Sequence, residues 1–312
     1  MGTWPCKHQA NHARLIEIDG APERFNTAIQ LFSCSIACAC AAVFLGGGWR
    51  ESLFASIAGG LIFLWEKLLK RIAPNEFALE ITASFLTAMF AVLVSNWIVD
   101  FHDRIATLGS LIILVPGFSF TLAFSEISNR HLSSGVARLA GAMVAFLMLV
   151  CGVALAWRLC GEWHLPSSSS PGISEWAYML AAIISPIALA VVFQARMNDW
   201  LVISVVAWAG LAVATFLGPL KGVEFGAFSG AFVIGFLANA FARFVDRPAL
   251  IPQMPATLML VPGSLGYRSL TAFLENQGIE GMESAFITTM VAASIVSGLL
   301  AANLIMPPRR FL

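Results

Sequence analysis

The stretch LVPG occupies residues 114–117 and recurs at 260–263, each time inside an otherwise apolar run. Proline has no N–H, so Pro116 withholds the helical donor from the carbonyl of Ile112, and Pro262 withholds it from Leu258. Gly117 and Gly263 relax the backbone beside each interruption. Setting Pro116 on Pro262 gives an offset of 146 residues. Held fixed, that offset pairs Leu114, Val115, Gly117, Gly135, Val150 and Gly152 with Leu260, Val261, Gly263, Gly281, Val296 and Gly298, without a gap over 39 residues. Matched leucines and valines mean little in apolar sequence. A Pro-Gly pair with two further glycines in register means more, and the two halves read as an internal duplication.

The runs that carry the motif are long enough to matter. Of 312 residues, 58% are hydrophobic and 12% charged, with a mean hydropathy of +0.81. Those fractions lie outside the range of soluble globular domains, and the chain reads as an all-α integral membrane protein. Lys+Arg and Asp+Glu are 18 each, so no net charge argues for nucleic acid. Residues 1–29 hold Lys7, Arg14, Glu17, Asp19, Glu23 and Arg24 and no apolar core, which reads as a cytoplasmic N-terminal segment and not as a cleavable signal.

A hydrocarbon core of about 30 Å takes roughly 20 helical residues. Ten runs meet that requirement, at 30–46, 51–69, 77–98, 105–125, 134–157, 176–194, 200–218, 223–244, 251–272 and 284–306. Ten spans put both termini on one side, and 13 of the 18 basic residues then share that side. Arg50, Arg104, Arg158, Lys221 and Arg268 fall on the other. The positive-inside rule places the 13 and both termini in the cytoplasm, with the chain in the inner membrane. A Ser/Pro-rich linker at 163–175 separates a first five-helix module, 30–162, from a second, 176–312. Five is odd, so the modules run through the membrane in opposite senses. Inverted repeats with broken helices are the architecture of secondary transporters, with the substrate held near the midplane between repeats.

Polar groups cluster just past each break. Ser119, Thr121, Ser125 and Glu126 follow the first; Ser264, Tyr267, Arg268, Ser269 and Thr271 follow the second. Hydroxyls in a membrane helix commonly bond back to their own carbonyls, but beside freed backbone groups they also suit an amino or hydroxyl ligand. Arg268 suits a carboxylate, and equally suits the headgroups. Pro116, Gly117, Ser119, Thr121, Pro262, Gly263, Ser264, Tyr267 and Arg268 therefore form the expected substrate pathway. Glu80, Glu126 and Arg138 lie near helix ends, where a carboxylate serves proton coupling, an ion pair or a cap. Asn239, deep in its span, suits an interhelical bond or the pathway. The six cysteines show no metal spacing, and Cys34 and Cys38 read as small packing residues on one helix face. The five histidines lie in termini and loops, and HExxH and GxSxG are lacking, so no metal, cofactor or enzymatic activity is expected.

With these residues in place, the first half resembles the membrane part of the threonine/serine exporter family. The family pattern L-V-P-G-x-x-x-T-x-x-x-x-D, then G-x-x-R, is met by Leu114, Val115, Pro116, Gly117, Thr121, Glu126, Gly135 and Arg138, with glutamate in place of the usual aspartate. Residues 12–25 and 46–60 are similar to the family as well, and 248–270 to its second membrane module. Many members carry a longer cytoplasmic segment before the first helix. The resemblance implies two five-helix modules exporting threonine and serine, driven by the proton motive force. It assigns no binding residues. A dicarboxylate exporter is the alternative within the class, and a passive channel the alternative from another, although no ring of pore-lining charge is visible. The expected partners are a small-molecule substrate, the bilayer and protons, with a homo-oligomer left open.

Overall fold

The computed structural model of the chain describes residues 24–72, 76–98, 101–128, 130–160, 174–260 and 278–307. Among them the ordered elements are all helical. The first half contributes α1 (Thr27–Phe44), α2 (Trp49–Ile72), α3 (Glu76–Trp97), α4 (Asp103–Leu111), α5 (Gly117–Ser128) and α6 (Leu132–Leu159). The second contributes α7 (Glu175–Val192), α8 (Trp200–Lys221), α9 (Val223–Val245), α10 (Leu250–Leu258) and α11 (Gly278–Ile305), with a 3-10 turn, Met197–Asp199, before α8.

Eight of these helices, α1 to α3, α6 to α9 and α11, are long and apolar enough to cross a bilayer. In hydrocarbon every backbone polar group needs a partner, and a helix supplies one within its own segment. The two other expected spans behave differently. Residues 105–125 fall in two short helices, α4 and α5, separated at 112–116. The run at 251–272 begins as α10 and passes beyond the described residues after 260. Most of the expected linker, 163–173, also lies outside them.

Helices here pack through small residues, as membrane helices do when no hydrophobic force pulls them together. Gly152 on α6 lies so close to α3 that a Cβ there would overlap the Ser84 hydroxyl and the Ile81 carbonyl. Gly298 on α11 lies equally close to α9, where a Cβ would overlap the Phe228 carbonyl. These glycines are one of the pairs that the 146-residue offset matches, and each closes the last helix of its half on the third full-length one. Gly59 on α2 meets Cys38 on α1, whose buried thiol donates to the Ser110 carbonyl at 3.2 Å, so the cysteine is a packing residue as expected. Large apolar side chains such as Phe32, Leu86, Leu147 and Phe216 point outward to lipid.

The halves meet along α1 and α7, where Ala37, Ala188 and Leu189 form one cluster with Ile113, Leu258 and Met259. α5 touches α10 and α11 across the same seam.

Polar contacts sort the helix ends onto two faces. One face ties Lys67 to Thr27, Arg24 to Gln194, Arg247 to Asp199 and Arg243 to the Pro307 carbonyl, which gathers the basic helix ends. On the other, Glu51 accepts from the His102 N–H at 2.7 Å, and Arg104 stacks on Trp157. Exposed Trp49, Trp97 and Trp176 sit at helix ends of that second face, where indole rings favour the headgroup region.

Pro252 and Pro255 both lie within α10. Pro252 falls in the first turn, where a missing N–H removes no helical bond, whereas Pro255 withholds its donor from the Ile251 carbonyl. Gly117 opens α5.

Replacing Gly152 or Gly298 with valine should lower stability by about 1–3 kcal/mol through overpacking, read as a drop in the melting temperature of detergent-solubilised protein. Gly141→Ala serves as the control, since a Cβ there meets nothing within 4 Å. Unchanged melting of Gly152→Val would contradict the close α3–α6 contact.

Candidate functional site

The first LVPG ends one helix and starts another. Leu111 closes α4, and its carbonyl accepts from the Leu114 and Val115 N–H groups at 2.9 and 3.1 Å. Pro116 cannot continue the ladder, the Gly117 N–H turns back to the Val115 carbonyl at 2.7 Å, and the Phe120 N–H takes the Pro116 carbonyl at 3.0 Å to open α5. A gap of five residues therefore sits between two half-length helices.

Around that gap lies a cavity of about 540 Å³. Its walls bring together Glu80 from α3, Pro116 and Ser119 from the break and Arg138 from α6. Four of the residues expected to matter, from three helices and a turn, thus meet at one place. The second half supplies the facing wall through Leu189, Val192, Phe193 and Leu258.

Beside the cavity, Arg138 donates through Nε and Nη2 to Oε1 of Glu126, both at 3.1 Å. Between the cap and ion-pair readings of these residues, the geometry gives the ion pair. Gly117 is buried in the first turn of α5, and Thr121 lies one turn further along. Asn239 bonds across helices, its Nδ2 donating to Asn303 Oδ1 at 2.7 Å. Pro262, Gly263, Ser264, Tyr267 and Arg268 lie outside the described residues.

The second break is nevertheless approached from its N-terminal side. Met259 immediately precedes the second LVPG, as Ile113 precedes the first, and the 146-residue offset pairs them. Both pack into the seam cluster with Ala37, Ala188 and Leu189. The equivalence extends to the bracing helices, since Cys38 of α1 donates to Ser110 at the end of α4, and Ser185 of α7 donates to Met259 Sδ at 3.7 Å. The residue before the first interruption and the residue before the second LVPG thus meet in one seam.

Sequence reasoning missed Phe193, Leu189 and Val192, which are apolar residues in an apolar helix and carry no local signal. Ile113 and Met259 were findable, because the fixed offset places them together. Chemically the cavity offers one carboxylate, one guanidinium, a hydroxyl and an apolar wall. No group of three or more His, Cys, Asp or Glu able to hold a metal occurs among the described residues.

Comparison with known proteins adds to this geometry. Residues 6–160 match a family model described as a threonine/serine exporter, and residues 178–305 match the model described as Threonine/Serine exporter, ThrE. The chain is similar to the threonine/serine exporter of Corynebacterium glutamicum, 24% identical over 95% of this chain and 63% of that protein. It is also similar to pheromone-regulated membrane protein 10 of Kluyveromyces lactis, 28% identical over 64% of this chain and 23% of that protein. The same-named protein of Pichia sorbitophila is 25% identical over 82% of this chain and 28% of its own length. The chain thus spans less than two thirds of each of these relatives. No solved structure matches it.

The ion pair can be weighed directly. A double-mutant cycle of Glu126→Gln and Arg138→Gln should show the two changes to be less than additive, as for partly exposed pairs, measured by thermal melting. Strict additivity of the two changes would show that the pair contributes nothing.

Proposed function

The chain belongs to the threonine/serine exporter family, and from that premise we propose that it is a secondary active transporter exporting small polar amino acids, threonine and serine first among them. The observation that carries this reading is the cavity at the Pro116 break, which is walled by both halves of the chain. A site shared by two bodies opens to one side or the other as they rock, which is alternating access.

The two halves are then inverted five-span repeats, 30–162 and 176–312, giving ten spans with α4–α5 as one and the run begun by α10 as another. Gly152 and Gly298 closing equivalent helix pairs supports this, as does the meeting of Ile113 and Met259. The positive-inside rule puts the basic face and both termini in the cytoplasm of a cell whose inner membrane holds the protein.

The lining suits a zwitterion. Glu80 takes the ammonium, and Arg138, whose Nε and Nη2 already hold Glu126, turns its remaining N–H donors to the carboxylate. Ser119 and the backbone freed by Pro116 receive the side-chain hydroxyl. The break in the second half, Pro262 to Ser264 with Tyr267 and Arg268, completes the pathway from the other side. A carboxyl group in such a place also gives up its proton to water as the ammonium binds, so Glu80 is the point where the proton motive force enters, with Glu126 held by its ion pair.

Counterflow in proteoliposomes tests the reading. With unlabelled threonine inside and labelled threonine outside, a saturable overshoot that serine abolishes is expected. Glu80→Gln should reduce it by about tenfold or more, the scale of losing a charged partner in a buried site, and Pro116→Ala should weaken it. Competition by succinate and not by serine would transfer the function to dicarboxylates. Flux that only equilibrates, without overshoot, would make the protein a pore.

A further inference from the structure

A second cavity, of about 400 Å³, opens on the basic face where three connections meet. Arg24 enters from the segment before α1, Arg196 and Asp199 from the α7–α8 connection, and Arg247 from the α9–α10 connection. Two of the three arginines are already held. Arg247 donates to Asp199, and Arg24 donates its backbone N–H and its Nη1 to Gln194, each at 3.1 Å. Arg196 has no partner among the described residues. The wall thus carries three guanidinium groups and one carboxylate, Asp199, which Arg247 already holds.

Phe193 lines this cavity and also the one at the Pro116 break. α10 runs along both, contributing Met254 and Pro255 to the first and Leu258 to the second. One aromatic side chain and one turn of helix therefore separate a basic pocket at the surface from the polar cavity between the halves. We propose that the Arg24–Arg196–Arg247 cavity is an entry vestibule, in which Arg196 captures the carboxylate of the substrate before it passes Phe193. The inference rests on the transporter reading and adds to it a capture site distinct from Glu80 and Arg138. Its bland competitor is that these arginines merely satisfy the charge bias of one membrane face.

Kinetics from that face separate the two. Uptake of labelled threonine, and in parallel of labelled succinate, would be measured into inside-out membrane vesicles at graded ionic strength. For the transported solute, Arg196→Gln should raise KM about two- to fivefold, the size of one exposed charge pair, with kcat unchanged. The variant should also flatten the rise of KM with salt, since screening acts on the captured charge. Arg196→Lys should restore both. An unchanged KM and salt slope in Arg196→Gln, with transport intact, overturns the vestibule and leaves the transporter standing. If succinate is carried and threonine is not, the substrate assignment fails while the vestibule is judged on succinate by the same readout. If neither is carried, both fall together.

Discussion

A lipid-exposed backbone cannot leave its N–H and C=O groups unpaired, and the turn at 112–116, between the short helices α4 and α5, has to meet that constraint. The hydrogen-bond ladder of α4 closes at Leu111, ahead of Pro116, and α5 restarts it at Gly117. The freed stretch cannot face hydrocarbon. It is enclosed by α3 and α6 on its own side and by α7 and α10 across the seam, and the space left between them is the cavity. The site is thus a consequence of having to shelter an interrupted helix.

Enclosure needs close approach, and close approach needs small residues. Gly152 and Gly298 let the last helix of each half lie against the third full-length one with no room for a methyl group. Cys38, Gly59 and buried alanines do the same between α1 and its neighbours. In lipid there is no gain from hiding leucine, so leucines and phenylalanines go outward and contact surface is built from the smallest side chains.

Charge follows a separate logic. Basic groups collect at helix ends on one face, where they pair with Asp199, Gln194, Glu126 or a free carbonyl. The opposite face holds buried Glu51 against the start of α4 and a set of exposed tryptophans. The chain that carries this asymmetry belongs to the threonine/serine exporter family.

Much of this was legible in the residues. Apolar length and the sparse charges were enough for an all-helical membrane chain, the Pro-Gly pairs for the break at Pro116, and the 146-residue register for the matched roles of Gly152 and Gly298. These features are local or periodic, because hydrocarbon thickness and backbone pairing act on each segment in turn, whatever its neighbours. What stood in the sequence only as alternatives was the use of polar residues near helix ends. Whether Glu126 caps or pairs, whether Asn239 lines a path or joins two helices, and that Glu80 shares a cavity with Arg138 depend on which helices lie side by side. Phe193 and Leu189 could not be singled out at all, as nothing distinguishes them from other apolar residues until two halves of the chain are brought together. The segments and their interruption belong to the sequence; the cavity, being made of side chains far apart along the chain, belongs to the packing that joins them.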